Sequence, residues 1–220
     1  MKLDVYEMQH SPFCIPITHM LTVASVPFKR HEVPNWDRSE IIRRSNGAYY
    51  QVPLLIHDQR PIYETGPDTQ DVARYVDATF LKGALFPPRL GGLQSVVIDF
   101  LENEVEARTF KLVDPHYLDT VEDPVARTMT IRHKERKFGR GCVDQWRSDA
   151  GRLRSEADAL LGRFESTLQH TPFVFGERPT YADFLLFGIL GNMTFRGWNK
   201  LNESQAALAA WRSRMEQLKL

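Results

Sequence analysis

Ser11-Pro12-Phe13-Cys14 falls just after the first apolar run of the chain, Leu3 to Met8. A strand that ends in Ser-x-x-Cys and continues into a helix places a hydroxyl or thiol at a helix N-terminus. Unpaired backbone N–H groups and the helix dipole favour negative charge there. A thiolate held at such a point is stabilised, and thiol pKa values fall from about 8.5 to roughly 3.5–7.5. Ser11 need not be a nucleophile, because it can donate a hydrogen bond to the sulfur of a bound thiol and keep it ionised. It can equally be only the N-cap, with Pro12 at the first helical position. Cys14, one turn further in, is a candidate for redox chemistry or an inert packing thiol. Serine at the outer position leaves no internal disulfide to form across the motif.

Outward from this motif, residues 1–80 alternate strand and helix signals. Lys2–Met8 reads as a strand, and Pro12–Ala24 as a helix whose first turns Pro16 should distort. Pro27–Val33 reads as a second strand, and Asp37-Arg38-Ser39-Glu40 has the form of a capping box opening a short helix through Arg44. The runs Pro53–Ile56 and Pro61–Tyr63, joined by His57-Asp58-Gln59-Arg60, form a hairpin by pattern. Thr65-Gly66-Pro67-Asp68 offers another cap ahead of a helix near Asp68–Ala78. The predicted order is βαβα followed by ββα.

Residues 81–92 hold Gly83, Pro87, Pro88, Gly91 and Gly92 and read as a linker. From residue 93 to 220 the pattern is helical. Leu93, Val96, Val97, Phe100, Leu101 and Val105 recur at helical spacing, as do Leu153, Ala157, Leu160, Leu161, Phe164 and Leu168. Thr180-Tyr181-Ala182-Asp183 has capping-box form and leads into Phe184-Leu185-Leu186-Phe187, apolar on every face and therefore expected at the centre of a core. Ala207, Leu208, Trp211, Met215 and Leu218 mark a last amphipathic helix.

Bulk properties narrow the function. Lys plus Arg and Asp plus Glu number 28 each, which removes the electrostatic reason to expect nucleic acid or an anionic membrane as partner. No apolar run reaches the length of a membrane span, and no basic-then-apolar start reads as a secretory leader. The two cysteines, Cys14 and Cys142, give no disulfide framework and no metal-ligand spacing, so a reduced, cytoplasmic setting is expected. His116 and His133 also lack partners at metal spacing, and no metal is expected.

Val52-Pro53 and Glu64-Thr65 complete the pattern. Proline ahead of the hairpin is by itself an ordinary strand start. Glu64-Thr65 is by itself a surface acid beside a cap, although the acid suits an ammonium and the threonine hydroxyl and N–H suit a carboxylate. With Ser11-Pro12-Phe13-Cys14 at one end and Thr180 to Asp183 at the other, the whole chain resembles the cytosolic glutathione transferase superfamily. Its Ser-x-x-Cys segment is similar to that of the serine-type classes (theta, delta and zeta).

The resemblance implies an α/β plus all-α architecture: a thioredoxin-like, glutathione-binding domain over 1–80, a linker over 81–92 and a helical domain over 93–220. It implies that Ser11 activates the glutathione thiol, that Val52 before a cis Pro53 contacts the cysteinyl backbone, and that Glu64 and Thr65 grip the γ-glutamyl end. It also implies a homodimer and a second, small electrophilic substrate between the domains, where Glu104, Arg108, Tyr117 and Trp198 are candidate contributors. The sequence departs from the relatives at Ile15-Pro16 and Gly66-Pro67. Two alternatives stay open: a non-catalytic binding or scaffold protein of the same fold, and a thiol–disulfide oxidoreductase using Cys14. The basic run Arg132 to Lys137 could attract an acidic substrate, but a solvated helix face is the simpler reading.

Overall fold

The computed structural model describes residues 2–66 and 70–220. Four strands form one mixed sheet in the order β2-β1-β3-β4: β1 Leu3–Glu7, β2 Lys29–Glu32, β3 Leu54–His57 and β4 Arg60–Ile62. β1 runs parallel to β2 and antiparallel to β3, with Val5 opposite Arg30 on one side and Leu55 on the other. Because side chains alternate across a strand, Leu3, Val5 and Leu55 face one layer and Tyr6 and Leu54 the other. The first layer holds α1 (Cys14–Val23) and α3 (Asp71–Phe80), and the second holds Ile41 of α2 (Ser39–Arg44). The hairpin turns on Asp58 and Gln59, both at positive φ, the two-residue geometry that matches strand twist.

The helical part comprises α4 (Gly91–Phe100), a π-helical stretch at Leu101–Glu106, α5 (Ala107–Asp119), α6 (Pro124–Phe138), α7 (Cys142–Ser148), α8 (Ala150–Leu168), α9 (Tyr181–Met193) and α10 (Ala206–Glu216). α9 lies at its centre, against α1, α4, α5 and α10. Thr180 and Asp183 form the expected capping box. The Asp183 carboxylate also accepts from Val174 N at 2.9 Å and Trp211 Nε1 at 3.1 Å, so one buried acid joins the start of α9, the preceding loop and α10. Burial pushes its pKa up, and four N–H and O–H donors oppose that rise. The linker is anchored as well, since Asp77 accepts from Leu85 N at 3.0 Å and Phe86 N at 3.2 Å.

Three local expectations change. Pro16 does not break α1, because it stands in the first turn, where the missing N–H leaves only the Pro12 carbonyl, outside α1, without its bond. Leu93 and Val96, expected in a buried stripe, are 64% and 69% exposed. The buried line is Gln94, Ile98, Leu101 and Val105. Gln94 occupies a core position because its amide donates to Leu85 O and accepts from Ala182 N, both at 3.2 Å, which a search for apolar residues alone passes over.

The third change is at α3, which begins at Asp71; Asp68, expected as part of its cap, lies outside the described residues. Glu64 accepts from Asp71 N at 2.7 Å and Val72 N at 3.4 Å. Asp71 Oδ2 in turn accepts from Thr65 N at 2.8 Å and Thr65 Oγ1 at 2.6 Å, so the pair serves this helix N-terminus reciprocally.

The sheet domain and the helical domain share one core through α1 and α9. Gly188 makes the approach work: a β-carbon there would overlap the Pro12 carbonyl oxygen and the Pro16 ring. Gly188→Ala is therefore expected to destabilise the protein by about 1–3 kcal/mol in urea denaturation, the usual cost of overpacking. Gly162→Ala in α8, where nothing lies within 4 Å of the added methyl, should be neutral or stabilising by about 0.5–1 kcal/mol. Equal behaviour of the two variants would show that α1 and α9 are not in close contact.

Glu64 supplies a pH signature. Burial pushes its carboxyl from the usual 4.5 up to about 7, against the two N–H bonds it accepts. Between these values the folded chain holds a proton that the unfolded chain has released, so the contribution of Glu64 to stability falls as pH rises. Glu64→Gln keeps an acceptor for Asp71 N and does not titrate. It is expected to gain stability relative to wild type as pH rises from 4.5 to about 7, then to level off. Denaturation at several pH values checks this, and a difference independent of pH would rule it out.

Candidate active-site cleft

A cleft of about 560 Å³ opens beside the turn between β1 and α1. Ser11 is on its wall and almost fully buried. Its N–H donates to Met8 O at 2.8 Å, and its carbonyl accepts from Cys14 N and Ile15 N, both at 3.1 Å. The hydroxyl oxygen accepts from Phe13 N and Cys14 N, both at 3.3 Å. Ser11 thus caps the entry to α1, and its hydroxyl proton is what it can give to a sulfur, that of Cys14 in the chain itself.

Cys14 lies in the core and not on the cleft. It is fully buried, is not among the cleft-lining residues, and has its thiol pushed up to about 12 by burial despite the hydrogen bond to Ser11. Cys142 is buried with Val143 and Trp146 in a second, smaller cluster. Both cysteines are free.

Val52 lines the same cleft as Ser11, and the Val52–Pro53 peptide bond is cis. Glu64 and Thr65 are not among the lining residues; their polar groups are engaged at the N-terminus of α3. The four candidates for an electrophile site divide into two pairs. Glu104 and Arg108 pair with each other at 3.0 Å, Arg108 also reaches Glu156 of α8 at 3.8 Å, and neither lines the cleft. Tyr117 and Trp198 do not line it either, but they gather around His10, with Tyr117 stacked on its ring at 4.6 Å and Trp198 edge-on at 5.9 Å.

His10 went unnoticed in the sequence, although it directly precedes Ser11. It lines the cleft, and burial together with Lys134, Arg196 and Arg38 pushes its pKa down to about 4, so the ring is neutral at physiological pH. Its carbonyl accepts from Asn192 Nδ2 of α9. Asn192 was legible only as one polar residue in an apolar helix. Its Oδ1 is buried without a hydrogen-bond partner among the described residues.

Arg38 lines the cleft as well. Its Nη2 donates to Asn35 Oδ1 at 3.0 Å and Met8 Sδ at 3.2 Å, while Nη1 is buried without a partner among the described residues. Glu106, at the end of the π-helical stretch, lines the cleft too. Burial and the nearby Asp114 push its carboxyl up to about 7, against the pull of Lys134 and Lys137. Lys134 forms an ion pair with Asp114.

No group of three or more His, Cys, Asp or Glu that could hold a metal occurs among the described residues. None of the described helices is long and apolar enough to cross a membrane.

The geometry can be set beside known proteins. Residues 5–81 match the model of the glutathione S-transferase N-terminal domain, and residues 132–219 that of the C-terminal domain. The chain is 25% identical over 218 residues to a probable glutathione S-transferase, GSTU6, of Oryza sativa subsp. japonica, covering 97% of this chain and 84% of the relative. It is 28% identical over 198 residues to Glutaredoxin 2 of Escherichia coli O157:H7, covering 88% of this chain and 85% of that protein. Among solved structures, the glutathione S-transferase CsGST63524 of Ceriporiopsis subvermispora in complex with glutathione superposes with a TM-score of 0.78 at 16% identity, covering 100% of this chain and 98% of the other. Glutaredoxin 2 of Salmonella typhimurium in complex with glutathione gives 0.72 at 22% identity, covering 98% and 94%. With both domain models matched in order and the two-domain fold shared, the chain belongs to the cytosolic glutathione S-transferase superfamily.

Proposed function

We propose that this chain binds glutathione in the cleft beside Ser11 and activates its thiol for attack on a small electrophile, as a glutathione transferase or isomerase. Ser11 carries the reading. Its oxygen already accepts two backbone N–H groups, so its own O–H is the group it offers to a sulfur, and a ligand thiol in the cleft would take that donor from Cys14. That donor and the N-terminal end of α1 together hold a thiolate at neutral pH. In transfer, the thiolate sulfur bonds to the electrophilic carbon and the leaving group departs with its bonding electrons; the protein contributes positioning and a lowered thiol pKa.

Val52, preceding the cis Pro53, meets the cysteinyl backbone in this reading, and Glu64 and Thr65 act on the γ-glutamyl end through the N-terminus of α3, which they hold. Tyr117 and Trp198 shape the electrophile end by packing His10. Residues 1–80 would then supply the glutathione side, 81–92 the linker and 93–220 the second wall. The glutathione complexes among the structural neighbours support the ligand.

Calorimetric titration with glutathione and turnover with a chloronitroarene test this. Ser11→Ala is expected to lower kcat/KM by about ten- to hundredfold, the loss of one hydrogen bond to a charged atom. Absence of glutathione binding at millimolar concentration would sink the reading in favour of a non-catalytic protein. The likeness to Glutaredoxin 2 supports thiol–disulfide exchange at Cys14 as a second reading, against which its burial and raised pKa both count. Unchanged reductase activity in Cys14→Ser would exclude it.

We infer further that the protein works as a cytoplasmic homodimer that covers the exposed Leu93 and Val96 of α4. Sedimentation is expected to show a dimer for wild type and a monomer for Leu93→Glu/Val96→Glu. A wild-type monomer at every concentration would refute it.

A further inference from the structure

The basic run on α6 is the solvated face that its sequence suggested at Arg132, His133, Arg136 and Lys137, and part of that exposed face borders the cleft. Arg132 and Glu135 pair with each other, and Glu135 accepts from Gly141 N at 2.9 Å. Met129, His133, Arg136 and Lys137 recur at helical spacing and line the cleft that also holds Ser11. Lys134 enters it too, but pairs with Asp114. Arg136 and Lys137 make no salt bridge among the described residues; Arg136 reaches only His133 Nδ1 at 3.5 Å, and Lys137 lies over the Phe138 ring at 5.2 Å. Arg38, also a lining residue, adds an Nη1 without a partner among the described residues.

The acids of the cleft do not balance these cations. Asp114 is already paired, and Glu106 is held by burial near pH 7, where it is charged only part of the time. A chain of zero formal net charge thus concentrates positive charge in one small-molecule cleft. At the same cleft Trp36, Tyr50 and Met129 stand 46%, 56% and 51% exposed, large apolar surfaces that a flat ring can cover.

We propose that the second substrate is an anion on a planar apolar body, such as an aromatic carboxylate, whose charge is received by Arg136 and Lys137 and whose ring packs against Trp36, Tyr50 and Met129. This rests on the glutathione-transferase reading above, whose electrophile it specifies. Glutathione also carries carboxylates, so the two sources of negative charge must be separated.

Calorimetry with 3,5-dinitrobenzoate and 1,3-dinitrobenzene, which differ by one carboxylate, does so. Wild type is expected to bind the carboxylate about tenfold more tightly, the effect of one charge-assisted hydrogen bond. In Arg136→Gln/Lys137→Gln the ratio should fall to within about twofold. Circular dichroism verifies that the double variant is folded, and Arg136→Gln alone replaces it if it is not. Equal binding of the two ligands by wild type, or a preference that survives the substitutions, overturns the proposal. The preference should also persist at saturating glutathione; its loss there would assign these cations to glutathione and overturn the proposal equally. Failure of glutathione itself to bind would sink the transferase reading, while a carboxylate preference removed by the substitutions would still establish the anion site.

Discussion

The contact of α1 with α9 at Gly188 is the constraint on which the rest of the molecule depends. An absent β-carbon lets the Pro12 carbonyl and the Pro16 ring settle against α9, and that contact joins the sheet domain to the helical domain in one core. Pro16 contributes twice: it has no N–H to offer the Pro12 carbonyl, and its ring fills the space beside the glycine. Asp183 fixes the other end of α9 by capping it and binding Trp211 of α10. One turn past Gly188, Asn192 takes the His10 carbonyl. The turn carrying His10 and Ser11 is therefore held from the helical domain as well as from β1.

Burial decides which groups near the cleft are charged. It leaves His10 neutral, keeps Cys14 a thiol and brings Glu106 close to neutral pH. Arg38, Arg136 and Lys137 have no carboxylate partner among the described residues. The outcome is a positive cleft in a neutral chain, with a serine hydroxyl at the helix N-terminus on its wall. Such a field favours an anionic ligand before any specific contact is made.

Local signals read well where the chemistry is local. The capping box at Thr180 and Asp183, the hairpin around Asp58-Gln59 and the strand that enters Ser11-Pro12 depend on neighbours a few residues apart, and periodicity with turn chemistry was enough to find them. Glu64-Thr65 read less well. An acid and a hydroxyl at a helix entry suit a ligand and a helix terminus equally, and the bonds to the helix terminus run through Asp71, six residues beyond Thr65. Leu93 and Val96 misread for a related reason, since an apolar stripe cannot register that Gln94 earns its core position by bonding Leu85 and Ala182.

By itself, the sequence determined the family, the two-part fold and the placing of Ser11 at the start of a helix, because these follow from short-range patterns and motif order. The tertiary structure alone decided which side chains share the cleft. His10, Arg38, Glu106, Arg136, Lys137 and Asn192 come from five separate stretches of chain, and nothing in their spacing announces that they meet. Their pKa values and free donors arise from that meeting: desolvation and Coulomb interaction depend on distance through space, which the order of residues along the chain does not contain.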